Sequence, residues 1–208
     1  MRLYFKFFSI HFRSAMTYRA SFLLSCLGHL LITTNVFLSV VFLLDRFDSV
    51  GGYTLPQLAL CFSAVLAATS LAECFGRGFD VFHQLLSDAR FDRIMVRPRS
   101  PLFQVLCQDM KPTMLARLLQ AAVMLAWAVP SGAVRWTPFK ALTLALMILC
   151  GAGIFFGVFL INACVTFFTL EHVEALNIFM DGPREYGKYP FGIYGRPVLL
   201  ILTFLVPL

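Results

Sequence analysis

The four histidines are the residues of this chain best suited to metal binding or acid–base catalysis, and they are His11, His29, His83 and His172. A metal site needs convergent ligands with supporting hydrogen bonds, whereas these four fall on different predicted elements. The sequence also contains no GxxxxGK[ST] phosphate-binding loop, no GxSxG nucleophile elbow and no HExxH helix. We therefore expect no catalytic, cofactor-binding or metal site, and no ATP hydrolysis by the chain itself.

Three polar residues, one of them the histidine His29, lie within or beside long apolar stretches. His29 and Asn35 are in the first stretch, where a polar side chain either lines a translocation path or forms an interhelical hydrogen bond. The interhelical bond is the more general expectation, and the path-lining role stays open for both. Glu73 ends the second stretch, and we expect an interfacial carboxylate paired with Arg77 rather than an ion-coupling group.

The composition indicates a membrane protein. Hydrophobic residues make up 59% of the 208 residues, charged residues only 13%, and the mean hydropathy is +0.79. Ordinary soluble domains are about 45–50% apolar and about 25% charged, so the chain lacks the polar groups to cover a globular surface. The formal net charge is +6, and the basic residues that produce it lie between apolar runs rather than in a patch with interleaved aromatics. This distribution argues against nucleic-acid binding.

Four apolar stretches are predicted to cross the membrane, because about 20 apolar residues span about 30 Å of hydrocarbon. They are residues 20–44, 57–74, 113–129 and 141–170. Arg117, near the start of the third, is expected to extend to the membrane interface. Residues 171–208 combine a polar amphipathic segment, either a cytoplasmic helix or a fifth span, with a short apolar end.

Two basic segments flank these stretches and set the orientation. Residues 1–19 carry four apolar side chains on one helical face, namely Phe5, Phe8, Phe12 and Met16. This pattern predicts an amphipathic helix that lies at the lipid headgroups. Residues 1–19 and 76–112 hold four and six Lys or Arg, against one and two in residues 45–56 and 130–140. The positive-inside rule therefore predicts a cytoplasmic amino terminus in a bacterial inner membrane.

The order of several short strings resembles the ABC-2-type permeases, and more closely their viologen-exporter branch. The most specific string is residues 91–102, FDRIMVRPRSPL, which is similar to the LDxxLLRPxSPL stretch of that branch. The others are Tyr18-Arg19-Ala20, Gly51-Gly52-Tyr53-Thr54-Leu55, Trp136-Thr137-Pro138 and Tyr189-Pro190. The resemblance extends over nearly the whole chain.

The resemblance implies an all-α polytopic fold with an amphipathic amino-terminal helix and five transmembrane helices, four of them complete. Relatives continue past the region of Pro207 into a last span, so that span would be missing here, and residues 171–190 would be the fifth. The expected partners are a separate ABC ATPase subunit, which binds the ATP, a second permease subunit in a homo- or heterodimer, and membrane lipid.

The resemblance also assigns a role to the polar segment 76–112. A cytoplasmic coupling helix over residues 79–96 would dock on the ATPase through an apolar stripe, and the chain would then turn back to the third span. The coupling residues expected on this basis are Phe79, Phe82, Leu86, Arg90, Ile94, Arg97 and Pro98.

We therefore interpret the chain as the permease subunit of an ABC exporter, with a path for an amphiphilic or drug-like substrate. An apolar, Phe-rich bundle suits amphiphilic or cationic drugs better than sugars. The alternative is a membrane-embedded enzyme or a non-transporting membrane scaffold. The enzyme would require four polar residues to meet within about 4 Å around a cavity, namely His29, Asn35, Glu73 and Asn162.

Overall fold

Nine α-helices make up most of the described chain. The computed structural model describes residues 2–47, 52–131, 136–169, 177–189, 194–195 and 197–200. In chain order the helices are α1 (Arg2–Thr17), α2 (Arg19–Phe47), α3 (Leu55–Asp80), α4 (Phe82–Ser87), α5 (Phe91–Met95), α6 (Pro101–Gln108), α7 (Met114–Ala128), α8 (Pro138–Thr169) and α9 (Asn177–Tyr186). The predicted all-α polytopic architecture is confirmed over these residues.

Three of the helices, α2, α3 and α8, are long and apolar enough to cross a membrane. The third predicted span, residues 113–129, corresponds to the shorter helix α7, whose 15 residues extend about 22 Å. The second span is longer than its predicted limits of 57–74, because Thr54 and Gln57 form a capping box at its start and Arg77 pairs with Asp80 in its last turn.

Helix α3 lies at the centre of the bundle. In its most apolar stretch 72% of the residues are buried, compared with 11% in α2 and 17% in α8. Small side chains allow this packing, since a Cβ at Gly76 would lie 2.7 Å from the ring of Phe156 and one at Gly151 would lie 3.1 Å from Ala68. The outer faces of α2 and α8 are left for contact with lipid.

The single helix predicted over residues 79–96 is wrong. Helix α3 ends at Asp80, and the following residues form two short helices, α4 and α5, separated by a turn. Ala89 in this turn has a φ of +53°, which an α-helix cannot accommodate. As expected from Pro98, the helical structure stops before the proline.

Helix α1 packs against the bundle as well as presenting apolar residues outward. The Tyr4 hydroxyl donates to the carbonyl of Phe75, and a ring nitrogen of His11 lies 3.0 Å from the Cys107 carbonyl oxygen. Burial raises the pKa of Tyr4 to about 12, so its hydroxyl remains a donor. Phe5 and Met16 of the predicted stripe are exposed, whereas Phe8 and Phe12 are half-buried.

The described part of the carboxyl-terminal region runs alongside α3. Arg184 of α9 contacts Glu73, the Lys188 ammonium lies 6.0 Å from the centre of the Phe62 ring, and Tyr189 packs beside Leu58. The chain therefore passes along the bundle against successive turns of α3. The expectations for residues 170–176 and 201–208 lie outside the described residues.

Candidate functional site

A buried carboxylate, Glu73, is at the centre of the site. It is 3% exposed, and each of its oxygens contacts a different arginine. Arg117 Nη1 donates to Oε2 at 2.8 Å, and Arg184 Nη2 contacts Oε1. The expected pair between Glu73 and Arg77 is wrong, because Arg77 pairs instead with Asp80 at 2.9 Å.

The three charges come from three helices. Glu73 is on the central helix α3, Arg117 is in the first turn of α7, and Arg184 is in the last turn of α9. The Glu73 carboxylate holds the Arg117 side chain inside the bundle, and the extension of Arg117 to the membrane interface stays a prediction. Burying charges is costly, and removing one partner of such a group leaves an unpaired charge that costs about 3–5 kcal/mol.

On one side of this ion-pair group is a cavity of about 190 Å³, here called the α2 cavity. Helices α2, α3 and α7 form its wall together with the chain around Arg184. Its polar lining is His29, Thr33, Thr69, Arg117, Arg184, Glu185 and Lys188. The rest of the wall is apolar and includes Ile32, Val36 and Phe62.

On the other side is a cavity of about 260 Å³, here called the α8 cavity. Its charged lining is Glu73, Arg77, Asp80, Asp181 and Arg184, and Phe155 and Phe159 of α8 close one wall. Thr69 and Arg184 line both cavities. The contact between Glu73 and Arg184 therefore lies where the two cavities meet.

The two cavities have opposite electrostatic character. The α2 cavity is lined by three cations and one carboxylate, whereas the α8 cavity is lined by two cations and three carboxylates. The charges differ in their exposure to water. Glu73 and Arg117 have side chains that are only 4% and 14% exposed, so their interaction acts at a reduced effective dielectric constant, whereas Asp181 and Glu185 are largely exposed and screened.

The two expected path-lining residues have different environments. His29 lines the α2 cavity. Asn35 is exposed on the outer surface of α2, and Thr34 beside it accepts a hydrogen bond of 2.8 Å from Gln120 of α7. The structure thus brings His29 towards the ion-pair group and directs Asn35 away from it.

The constellation required for a membrane-embedded enzyme is not gathered in either cavity. The α2 cavity contains His29 alone of the four required residues, and the α8 cavity contains Glu73 alone. Across the described residues, no group of three or more His, Cys, Asp or Glu side chains could hold a metal ion.

The apolar stripe expected to dock on an ATPase packs mainly inside the chain itself. Phe79, Phe82 and Ile94 are buried in a cluster with Phe155 and Phe159 of α8, and Leu86 packs against the same cluster. Arg90, Arg97 and Pro98 are exposed.

The most exposed apolar residues of this segment lie beyond the stripe. Met95 is 61% exposed and Val96 is 86% exposed. Gln104 of α6 holds the adjoining loop by donating to the carbonyls of Ile94 and Arg99 at 3.2 and 2.9 Å. Residues 93–97, which include Arg93 and Arg97, are here called the tip.

Sequence reasoning missed Arg184 and Lys188. Both lie in the polar segment 171–190, for which the alternative of a fifth span already implied a polar face towards the bundle interior. The signal was a run of mixed charges directly after the most apolar helix. The pairing of Arg184 with Glu73 has no local signature, because the two residues are far apart in the sequence.

Comparison with known proteins gives a family match. A family described as ABC-2 family transporter protein matches residues 30–208. Neither the curated proteins nor the solved structures contain a match to the chain. The family match covers most of the chain, including all three charged residues of the ion-pair group and the tip.

Proposed function

Because the chain belongs to the ABC-2 family of transporter proteins and is a permease subunit of an ABC transporter, we propose that it forms the path of an exporter for amphiphilic substrates. ATP hydrolysis on a separate ATPase subunit would drive the transport. The observation that carries this proposal is the pair of cavities that meet at the buried contact between Glu73 and Arg184. We further propose a bacterial inner membrane with the amino terminus in the cytoplasm.

The ion-pair group is suited to close the path between the two cavities. Arg184 lines both of them, so a displacement of α9 from α3 would break its contact with Glu73 and join the cavities. Arg117 would keep the Glu73 carboxylate partnered during this step, since it binds the other oxygen. The cost of opening is then lower than that of exposing an unpaired buried carboxylate.

Helix α3 links this closure to the tip. From Glu73 it continues through Gly78, where a Cβ would lie 2.1 Å from the Val105 carbonyl oxygen of α6. A backbone approach this close couples the end of α3 tightly to α6. The side chain of Gln104 on α6 in turn holds the loop beside the tip.

We propose that the tip is the part of the coupling segment that the ATPase contacts. Val96 and Met95 offer exposed apolar area, and full burial of such a side chain contributes about 1.5–3 kcal/mol. Arg93 and Arg97 would form a basic rim around them. Ile94 is the buried residue of the tip, and together with Phe79 and Phe82 it positions the exposed tip residues rather than binding the partner.

A second permease subunit is expected on the outer surface of α2 and α7. Asn35 is exposed there, next to the hydrogen bond between Gln120 and Thr34. Polar side chains at membrane depth usually face another helix rather than lipid. This surface therefore favours a dimer in which Asn35 faces the partner permease.

The test is purification of the tagged full-length chain from its native membrane in a mild detergent, followed by measurement of ATP hydrolysis in the eluate. The proposal predicts a co-purifying ABC ATPase subunit, although the chain has no phosphate-binding loop of its own. Purification without any ATPase, under conditions that keep other ABC transporters of the same membrane intact, would contradict it.

A further inference from the structure

We infer that the α2 cavity binds the anionic headgroup of an amphiphile, such as an alkyl phosphate or an alkyl carboxylate. This inference rests on the proposed function, because it names the chemical class of the substrate. It follows from the charges on the cavity wall, the unsatisfied donor among them, and the size and opening of the cavity.

Positive charge predominates on this wall. Arg117, Arg184 and Lys188 line the cavity, together with one carboxylate, Glu185. Lys188 Nζ lies 2.6 Å from Glu185 Oε1, so this pair neutralises itself. Among the residues that the structure describes, Glu73 contacts both arginines but has a single negative charge, which leaves one positive charge on the side of the cavity.

The other carboxylate near this group compensates that charge weakly. Asp181 Oδ1 is 3.8 Å from Arg184 Nη1, beyond hydrogen-bond distance, and its side chain is 67% exposed, so water screens it. Asp181 lines the α8 cavity, on the far side of Arg184.

Arg117 has a donor that the described residues leave unsatisfied. Its Nε is buried and has no hydrogen-bond partner among them. An unsatisfied buried donor of a charged group is costly, and because this atom has almost no accessible surface, an anion in the cavity would stabilise it through charge rather than through a direct hydrogen bond. The hydroxyls of Thr33 and Thr69 already donate to the carbonyls of His29 and Val65, so the charged side chains supply the strongest donors on this wall.

The shape of the cavity fits a headgroup rather than a whole amphiphile. Its volume of about 190 Å³ is more than ten times the volume of about 10–15 Å³ that a cavity needs to hold one water molecule, so a headgroup has room to enter. Ile32 on its wall is 66% exposed on the outer surface of α2, and Val36 and Phe62 extend the apolar lining. An alkyl tail can therefore leave past Ile32 towards lipid while the headgroup stays at Arg117.

These charges disfavour the cationic drugs that the apolar composition suggested. A cationic headgroup in the α2 cavity would meet the excess positive charge at low effective dielectric constant, where repulsion between like charges is strong. The sequence alone could not show this, because the cations come from α7 and from the segment around α9, and they converge only in the fold.

The inference is tested by thermal unfolding of the purified full-length chain in phosphatidylcholine nanodiscs. Three probes are compared: octyl phosphate and octyltrimethylammonium, each below its critical micelle concentration, and inorganic phosphate. Saturating octyl phosphate should raise the Tm by about 5 °C or more, as expected for a ligand well above its Kd. Octyltrimethylammonium and inorganic phosphate should leave the Tm within about 1 °C, a shift too small for specific binding.

Two substitutions should change the affinity in opposite directions. Arg117→Gln removes the excess charge and the unsatisfied Nε donor, so the Kd for octyl phosphate should rise about tenfold. Glu73→Gln leaves both arginines uncompensated, so the Kd should fall by a similar factor. Arg77→Gln is the matched control, since Arg77 pairs with Asp80 and lines the other cavity, and it should leave the Kd unchanged.

Equal stabilisation by octyl phosphate and octyltrimethylammonium, or by inorganic phosphate alone, would overturn the inference. So would an unchanged Kd in Glu73→Gln, which decides the matter even if Arg117→Gln fails to fold. Repeating the titration in phosphatidylglycerol nanodiscs identifies the source: loss of the shift indicates a membrane lipid as the ligand, and its persistence a separate amphiphile. Failure of this test with a co-purifying ATPase would leave the proposed function intact.

Discussion

The two halves of α3 differ in how they are held. The half around Glu73 is held by ion pairs to Arg117 of α7 and Arg184 of α9, and a cavity lies on each side of these contacts. The half around Gly78 and Phe79 is packed tightly against α6 and α8, with no space for a Cβ at Gly78. The first arrangement can be opened by separating two charged groups, whereas in the second the close approach at Gly78 leaves no room for α3 to move towards α6.

This difference explains how one helix can both close a path and transmit movement. Electrostatic contacts bordered by cavities have room for an alternative arrangement, while close-packed interiors transmit displacement with little deformation. In the proposed cycle, ATPase closure moves the tip and the packed half of α3 together. The contact between Glu73 and Arg184 then responds to that movement.

The largest expected effect comes from Glu73→Ala, which removes the charge that holds the first half. Two arginines lose their buried partner, and we expect a loss of about 3–5 kcal/mol in the free energy of unfolding. Thermal unfolding in nanodiscs measures it, with Arg77→Ala as the control for loss of a charge on the same helix. Equal stability of Glu73→Ala and Arg77→Ala would show that the buried group holds nothing.

The next effect tests the packed half through Gly78→Ala. The new Cβ would lie 2.1 Å from the Val105 carbonyl oxygen, so α6 must shift, and overpacking of this kind costs about 1–3 kcal/mol. Gly153→Ala is the matched control, because a Cβ there meets nothing within 4 Å. A Tm for Gly78→Ala at or above that of Gly153→Ala would contradict tight coupling of α3 to α6.

The smallest effect concerns the outer surface of α2, which belongs to neither half. Asn35→Leu should leave the Tm of the monomer nearly unchanged, because the side chain is exposed. It should weaken self-association in detergent by about 0.5–2 kcal/mol if Asn35 forms a hydrogen bond with the partner permease. Analytical ultracentrifugation measures the dimer constant, and an unaltered constant would place the dimer surface elsewhere.

The sequence predicts the long helices well, because hydropathy over 20 residues reports directly on burial in lipid. Its errors cluster where contacts are made over long distances in the chain. Arg117 lies 44 residues from Glu73, so its hydrogen bond to that carboxylate leaves no local pattern. Spacing alone makes Arg77 a plausible partner for Glu73, but in the fold Arg77 pairs with Asp80.

The coupling segment shows the same limit. Its apolar periodicity correctly indicated a buried face, but periodicity does not tell whether a face is buried by another protein or by the same chain. Phe82 and Ile94 pack against α8, and the turn at Ala89 makes this packing possible. The turn has no glycine at the residue with positive φ, so the sequence gives no signal for it. Met95 and Val96 are exposed because the stripe residues, and not these two, pack against the rest of the chain. The sequence does not show which of the apolar residues pack in this way.

The most direct test of the account is therefore co-purification of the ATPase with the tip variant Val96→Glu. This substitution places a charge on a residue that is 86% exposed, so the fold and the membrane level should be retained while ATPase co-purification falls by about tenfold or more. Gln108→Glu, at the exposed end of α6, is the control for the added charge. Wild-type ATPase recovery with Val96→Glu, at equal membrane levels, would contradict docking through the tip.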